Sequence, residues 1–382
     1  MRPVGFIQPH QQEARVAFRA FADRELRPHA NAFDREEALP RALIARMATE
    51  GYLGTNIPAE YGGRPMDAVT YGLLHEEIGA ACSSTRSLLT VHGMVCHAIA
   101  TWGTPDQATR LLPALARGER LAAFALSEPE VGSDARAVRA VARTEGDRVI
   151  LNGSKKWTSF GEIADLLLVL AGHERGPVAL LVDASRDGVT RRPTRGMLGT
   201  RASMLAEIDF HECVIPAQMV LKRPGFGLQV IGSALDMGRF SVAWGCVGIG
   251  QACLEACESY SRERVQFGRP IAEHQLVARM LADMIAGVRA SRALCLQAAL
   301  ARAADATSAI ADTLVAKYFA STTAMKLATH AVQIHGANGC SADYPVARYL
   351  RDAKTMEIIE GSNEIQQMLI ARHAHMEVQH PS

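Results

Sequence analysis

What this chain lacks narrows it first. It has no surplus of charge: 41 Lys and Arg stand against 40 Asp and Glu, a formal net charge of +1, so no field gathers nucleic acid or an anionic membrane. No apolar run approaches the roughly 20 residues that cross a bilayer, although hydrophobic residues make up 48% of the chain. The opening MRPVGFIQPHQQEARVAFRAF turns amphipathic at once and shows neither the apolar centre nor the small-residue cleavage site of a signal peptide. A soluble, cytoplasmic protein is the expectation. The eight cysteines form no CxxC pair and no Cys/His cluster at metal spacing, so free buried thiols and no metal are expected. No GxGxxG follows a strand pattern and no GxxxxGK[ST] occurs, which disfavours the two common nucleotide cradles.

What is present divides the 382 residues into three textures. From 1 to 120, Phe18, Phe21 and Leu26, then Leu43, Ile44 and Met47, then Tyr71, Leu74 and Ile78 recur at helical spacing, with Pro40, GYLG at 51–54 and YGGRP at 61–65 as breaks. From 121 to 225, short apolar or alternating runs at 138–141, 149–151, 166–170, 178–182 and 208–214 read as strands, punctuated by Gly146, Gly153 and Gly188. This suits an antiparallel sheet or small barrel. From 226 to 382 the helical period returns over 242–260, 275–304 and 311–335, with Leu314, Tyr318, Met325, Ala328 and Val332 on one stripe. A helical bundle whose surplus apolar surface meets another subunit is expected. The class is α+β, and the junctions between its parts are where a flat cofactor can be gripped.

Five segments can carry chemistry, and each has a plain alternative. FALSEPEVGSD at 124–134 is a loop with exposed N–H groups and two hydroxyls, able to hold an anion or a ring edge, or simply a turn. LNGSKKWTS at 151–159 sets Trp157 at a strand end, as a cover for a planar ligand or as core. RVQFGRP at 264–270, with His274 and Gln275, offers a cation, an aromatic and amides, or a solvated helix start. QIHGANG at 333–339 allows close backbone approach, as would an ordinary helix cap. IEGSNEIQ at 359–366 places Glu360 before a glycine turn and a helix start, where a capping acid is the plain reading.

All five together, in this order, resemble the acyl-CoA dehydrogenase family over essentially the full length. The resemblance implies a fold with an N-terminal helical domain, a central antiparallel β-barrel-like domain and a C-terminal four-helix bundle. It also implies an FAD cofactor, an acceptor such as electron-transfer flavoprotein, and a homodimer or homotetramer. Position by position, Phe124, Leu126 and Ser127 line the flavin, Trp157 lies against it, and Ser159 lies near its reactive nitrogen. Gly132 and Ser133 meet the pyrophosphate or the substrate's pantetheine arm. Arg264, Phe267, Gln275, Gln333, Gly336 and Ala337 look like the adenosine-diphosphate site shared across a dimer interface, and Ser362 and Glu364 complete the cofactor contacts. Asp236 and Arg239 match positions that meet the pantetheine arm, while Trp244 and Gly361 fall near the acyl group. Glu360 matches the catalytic base, which takes a proton while the flavin takes a hydride; its backbone N–H polarises the thioester oxygen.

The stretches at 82–95, 241–248 and 356–362 look especially like the branch that builds hydroxymalonyl or methoxymalonyl units on acyl carrier proteins. That resemblance implies a short polar acyl group on a carrier-bound pantetheine. For such a product the oxidised carbon is a carbinol or aldehyde hydrate, and Glu360 could deprotonate oxygen. A short-chain CoA ester is the alternative, and a flavin monooxygenase or nitroalkane oxidase on the same fold a more distant one. Three positions depart from the family pattern: Ile359 replaces a common Tyr, Ser127 a Thr, and Gln266 a Thr.

Overall fold

The computed structural model describes residues 7–379. Its first part holds α1 (Pro9–Glu25), α2 (Ala30–Glu36), α3 (Arg41–Thr49), α4 (Ala68–Ala81), α5 (Ser83–Trp102) and α6 (Pro105–Ala116). Phe18, Phe21, Leu26, Leu43, Ile44, Met47, Tyr71, Leu74 and Ile78 are all buried, as their spacing requires. Asp67 starts α4 by accepting from the N–H groups of Val69 and Thr70, and Thr104 with Gln107 forms a capping box on α6.

The middle part consists of β1 (Ala122–Ala125), β2 (Val141–Glu145), β3 (Arg148–Thr158), β4 (Leu166–Ala171), β5 (Val178–Asp183), β6 (Val189–Pro193), β7 (Ala206–Pro216) and β8 (Val220–Leu221). They form two four-stranded sheets, ordered β1-β4-β5-β8 and β2-β3-β7-β6. All pairs are antiparallel except β1 with β4, which run parallel. β4 is buried throughout because its two faces have different neighbours. Leu167 and Val169 face the second sheet with Leu151 and Phe210, while Leu166, Leu168 and Leu170 pack with Leu112 and Ile231 of the helical layers. The strand expected at 138–141 begins only at Val141. Before it, the N–H groups of Arg139 and Ala140 donate to the Glu128 carboxylate rather than to a neighbouring strand.

The last part holds α7 (Gly227–Glu263), α8 (Gln275–Ala303), α9 (Ala309–His335), α10 (Val346–Ile358) and α11 (Asn363–Gln379). By length and composition α7 and α8 could each cross a membrane, which a search for unbroken apolar runs passes over; 83% of the apolar window of α7 is buried inside the protein, against 44% for α8. The bundle is not closed on itself. α4 packs along α7, and one apolar core runs from Phe18 through Trp244 to Met356. The approach is close because Gly72, Gly79, Gly245 and Gly248 leave no side chains in the crossing: a Cβ on Gly248 would stand 2.2 Å from the Glu76 carbonyl oxygen.

Candidate active site

The chain leaves α10 through an extended Ile359 and reverses over Glu360 and Gly361, with φ of 54° and 86°, before α11 begins at Asn363. Gly361 takes that conformation freely, whereas Glu360 bears a cost of about 1 kcal/mol for it. Side chains from three helices hold the turn. Arg239 Nε on α7 and Gln366 Nε2 on α11 donate to the Glu360 carbonyl at 3.1 and 3.2 Å. Gln366 Nε2 also donates to the Gly361 carbonyl at 2.9 Å, and Lys317 Nζ on α9 does so at 3.0 Å.

The turn lays the Glu360 side chain over Gly238 of α7 and beside Met94 of α5. Its Oε2 is enclosed and has no hydrogen-bond partner. Burial pushes the carboxyl up to about 7, against the pull of Arg239, Arg86 and Lys317. An enclosed carboxylate titrating near neutrality, with a free oxygen, is a competent proton acceptor.

Arg86 lies behind it. This α5 residue is 1% exposed and makes no ion pair among the described residues; Nη1 donates to Thr90 Oγ1 at 2.8 Å, Nη2 reaches Met356 Sδ at 3.4 Å, and Nε has no partner. Its stem fills the gap left by Gly245, where a Cβ would come 2.4 Å from Arg86 Cδ. The Thr90 hydroxyl bonds Ser241 Oγ at 2.9 Å, and Ser241 donates to the Gly238 carbonyl at 2.8 Å, so a hydrogen-bonded chain joins Arg86 to the helix turn under Glu360. Met94 follows Thr90 by one turn on α5, Gly238 precedes Ser241 by one on α7, and Glu360 follows Met356 by one beyond α10. The guanidinium is close enough for its charge to favour the ionised form of the Glu360 carboxyl.

A second group surrounds the loop after β1. Phe124, Leu126 and Ser127 are half-buried there, and the Lys156 N–H donates to the Ser127 carbonyl at 2.8 Å. Beneath it, fully buried Lys155 donates to the Leu126 carbonyl at 3.1 Å and to Glu128 Oε1 at 2.7 Å. Trp157 follows with φ of 60° and is 47% exposed as a residue; Ser159 is half-buried, and the Thr158 Oγ1 between them is enclosed without a partner. The Lys156 ammonium lies over the Trp157 ring at 4.7 Å from its centroid; the part of the indole left open, beside an unpartnered hydroxyl and a pinned loop, fits the edge and face of a flavin. Gly132 and Ser133, on the same loop, are exposed.

The third group is remote. Arg264 ends α7, and Phe267 is 96% exposed with its edge toward His274. Tyr260 stacks on His335 at 4.2 Å, and Asn338 Nδ2 donates to its hydroxyl at 2.9 Å, which brings Arg264 and Gln275 to the same end of the bundle as Gln333, Gly336 and Ala337. Gln275, Gln333, Gly336 and Ala337 are exposed.

Three expected residues already have neighbours within the chain. Asp236 is already engaged: Arg302 Nη2 donates to its Oδ2 at 2.6 Å, leaving only Oδ1 unpartnered. The Trp244 ring is fully buried over Gly72 of α4, where a Cβ would be 2.2 Å away. Glu364 is exposed and accepts from Ser362, so α11's first turn uses it locally. Arg86, Lys317 and the Glu128–Lys155 pair were missed. For Arg86, Lys317 and Lys155 the signal was a cation on an otherwise apolar helical face or strand, which becomes significant only once that face is known to be buried.

Comparison with known proteins places this geometry. Models of the acyl-CoA dehydrogenase N-terminal, middle and C-terminal domains match residues 8–119, 123–213 and 225–375. The chain is 33% identical to the short-chain specific acyl-CoA dehydrogenase of Clostridium acetobutylicum, covering 94% of this chain and 97% of that one. It is similar to the glutaryl-coenzyme A dehydrogenase glutaryl-CoA complex, with TM-score 0.91, 34% identity, and 96% and 95% of the two chains covered. It is also similar to FkbI, for biosynthesis of the methoxymalonyl extender unit of the Fk520 polyketide, with TM-score 0.86, 33% identity, and 95% and 99% covered.

Proposed function

Because this chain belongs to the acyl-CoA dehydrogenase family of FAD-dependent oxidoreductases acting on acyl thioesters, we propose that it oxidises a short acyl group with a polar or acidic end, carried on an acyl carrier protein. The observation that carries the reading is Arg86, a buried cation that makes no ion pair among the described residues and whose charge acts on Glu360. An unpaired buried charge costs several kcal/mol unless something compensates it. A carboxylate or polyol at the far end of the acyl group would do so, and an unbranched fatty chain would not. Likeness to FkbI supports a carrier-bound extender-unit substrate. The likeness to the glutaryl-CoA complex favours a second reading, the CoA ester of a diacid.

In either reading the Glu360 carboxylate takes the proton and the turn at 360–361 aims it. The unsubstituted Gly238 leaves the carboxylate room, and Arg86 fixes the distal end so that the reacting carbon stops beside Oε2. Phe124, Leu126, Ser127, Trp157, Thr158 and Ser159 would hold the flavin ring, with Lys155 and Glu128 fixing the loop from below. FAD, when bound, supplies the hydride acceptor. The exposed segments at 264–275 and 333–337, with a half-covered α8, support a second copy of the chain completing the adenosine site. An electron-transfer flavoprotein would then collect the electrons.

Anaerobic bleaching of bound FAD tests the assignment. The same short acidic acyl group is offered on CoA and on an acyl carrier protein, beside a neutral chain of equal length. Faster reduction by the carrier thioester is expected. Preference for the neutral chain overturns the acidic-end reading, and preference for CoA selects the second reading.

A further inference from the structure

Lys317 lies in the middle of α9, whose stripe of small residues faces α7 and α10. It is fully buried. A lysine in such a stripe either extends its amine to solvent or meets a carboxylate; this one does neither. Nζ donates to the Gly361 carbonyl at 3.0 Å and to Asn363 Oδ1 at 3.2 Å, and it makes no ion pair among the described residues. One turn on, Ser321 Oγ donates to the same Asn363 Oδ1 at 2.8 Å, and Asn363 Nδ2 donates to Thr322 Oγ1 at 3.2 Å. Residues 317, 321 and 322 of α9 thus grip both the second residue of the left-handed turn and the first residue of α11.

We propose that Lys317 is a positioning residue for the catalytic base, locking the turn at Glu360 and Gly361 and supplying the field under which Glu360 works. The proposal rests on Glu360 being the base. The geometric half follows from the strain. A glutamate at φ 54° next to a glycine at φ 86° persists only where its surroundings over-determine it. Arg239 and Gln366 fix the Glu360 carbonyl, Gln366 also reaches the Gly361 carbonyl, and Ser321 and Thr322 hold Asn363; Lys317 is the residue whose one amine ties Gly361 to Asn363. Without it that tie is lost, and the turn loosens enough to let the carboxylate shift off Gly238.

The electrostatic half explains why a charged group stands there. A neutral amide could make the same hydrogen bonds without the penalty of a buried cation. Glu360 faces Arg239 from α7, Arg86 from α5 and Lys317 from α9, and each favours its ionised form against burial. Lys317 in turn faces Cys246 and Arg239 of α7, Glu357 of α10 and Glu360. Burial brings its amine down to about 8, countered chiefly by Cys246 and then Glu360. The amine remains largely protonated at neutral pH, where the base must be ionised.

The test compares FAD-loaded wild type with Lys317→Met, which removes cation and donor, and Lys317→Gln, which keeps a donor without charge. The pH at which Glu360 titrates is read without substrate, from the pH dependence of the Tm difference between each protein and its Glu360→Gln counterpart. Steady-state oxidation of glutaryl-CoA with an artificial electron acceptor gives kcat and KM over roughly pH 5.5 to 9 in parallel, a range set by the two titrations involved. Loss of the cation should raise the Glu360 midpoint by roughly one unit in both variants. Lys317→Met should lose about tenfold or more in kcat with KM nearly unchanged, and Lys317→Gln should recover much of that rate while keeping the shifted midpoint. Where Lys317→Met does not fold, Lys317→Gln decides by its midpoint alone. Wild-type midpoint and rate in a folded variant overturn the proposal. If Glu360→Gln itself stays active, it is the base assignment that has failed.

Discussion

Glu360 rests against the bare backbone of Gly238: a methyl group there would come within 2.7 Å of Oε2 and 2.8 Å of Met94 Sδ. Both atoms end flexible side chains, so Gly238→Ala should fold with its FAD in place yet displace the base. A loss of about tenfold to a hundredfold in the rate of flavin reduction is expected, with the flavin spectrum unchanged. A wild-type rate would mean that the carboxylate works from another position.

Replacing Glu360 with Gln removes the proton acceptor and keeps the shape. Flavin reduction by thioester should fall by about three orders of magnitude. The same change should stabilise the protein, with a defined pH dependence. The native carboxyl is raised to about 7, so between its ordinary value and 7 the native state holds the proton more tightly than the unfolded state. Wild-type stability therefore falls as pH rises through that window. Glu360→Gln should raise Tm more at pH 8 than at pH 5, and an equal gain at both would contradict the raised value.

The rate of flavin reduction should itself rise with pH up to about 7 and level above, since only the ionised carboxyl accepts a proton. A stopped-flow profile in free enzyme and substrate reads it. A rate that falls over pH 5.5 to 7 would point to an acid instead.

Arg86→Met exchanges a buried, unpaired guanidinium for a thioether of similar length. If the acyl group ends in a carboxylate, the ratio of kcat/KM for glutaryl-CoA over pentanoyl-CoA should drop by about a hundredfold or more, the cost of a lost charged hydrogen bond in an enclosed site. Tm should hold or rise, because an uncompensated charge leaves the core. An unchanged ratio would make Arg86 a structural residue.

Lys155 and Glu128 form a buried pair at 2.7 Å under the loop of Ser127. Glu128→Gln removes the counter-charge of the ammonium and leaves one acceptor oxygen where the Arg139 and Ala140 N–H groups now use two, so about 3–5 kcal/mol of stability should be lost and FAD held more loosely. Adding Lys155→Met should restore much of the stability but not the FAD affinity. Thermal melts and FAD titration separate the two effects.

Much of this protein was readable along the chain. The three textures, the burial of Phe18, Leu43 and Tyr71, and the placing of Glu360 before a glycine turn follow from short-range rules of spacing, capping and turn chemistry, which act between residues a few positions apart. The nearest neighbours of the base were not readable. Lys317 looks in sequence like any lysine on an alanine-rich helix, and Arg86 like a charge on a solvated face; Asp236 looks free and Trp244 looks available to a ligand. Each is decided by what a different helix brings to it: α9 against the turn at 361, α5 against Gly245, Arg302 against Asp236, Gly72 against the indole. Sequence periodicity determines which face of a helix is buried, because burial repeats with the backbone. Only the packing of α4, α5, α7, α9 and α10 decides which buried cation lies within reach of which carboxylate, because that distance is set by helix crossings between residues 44 to 270 positions apart.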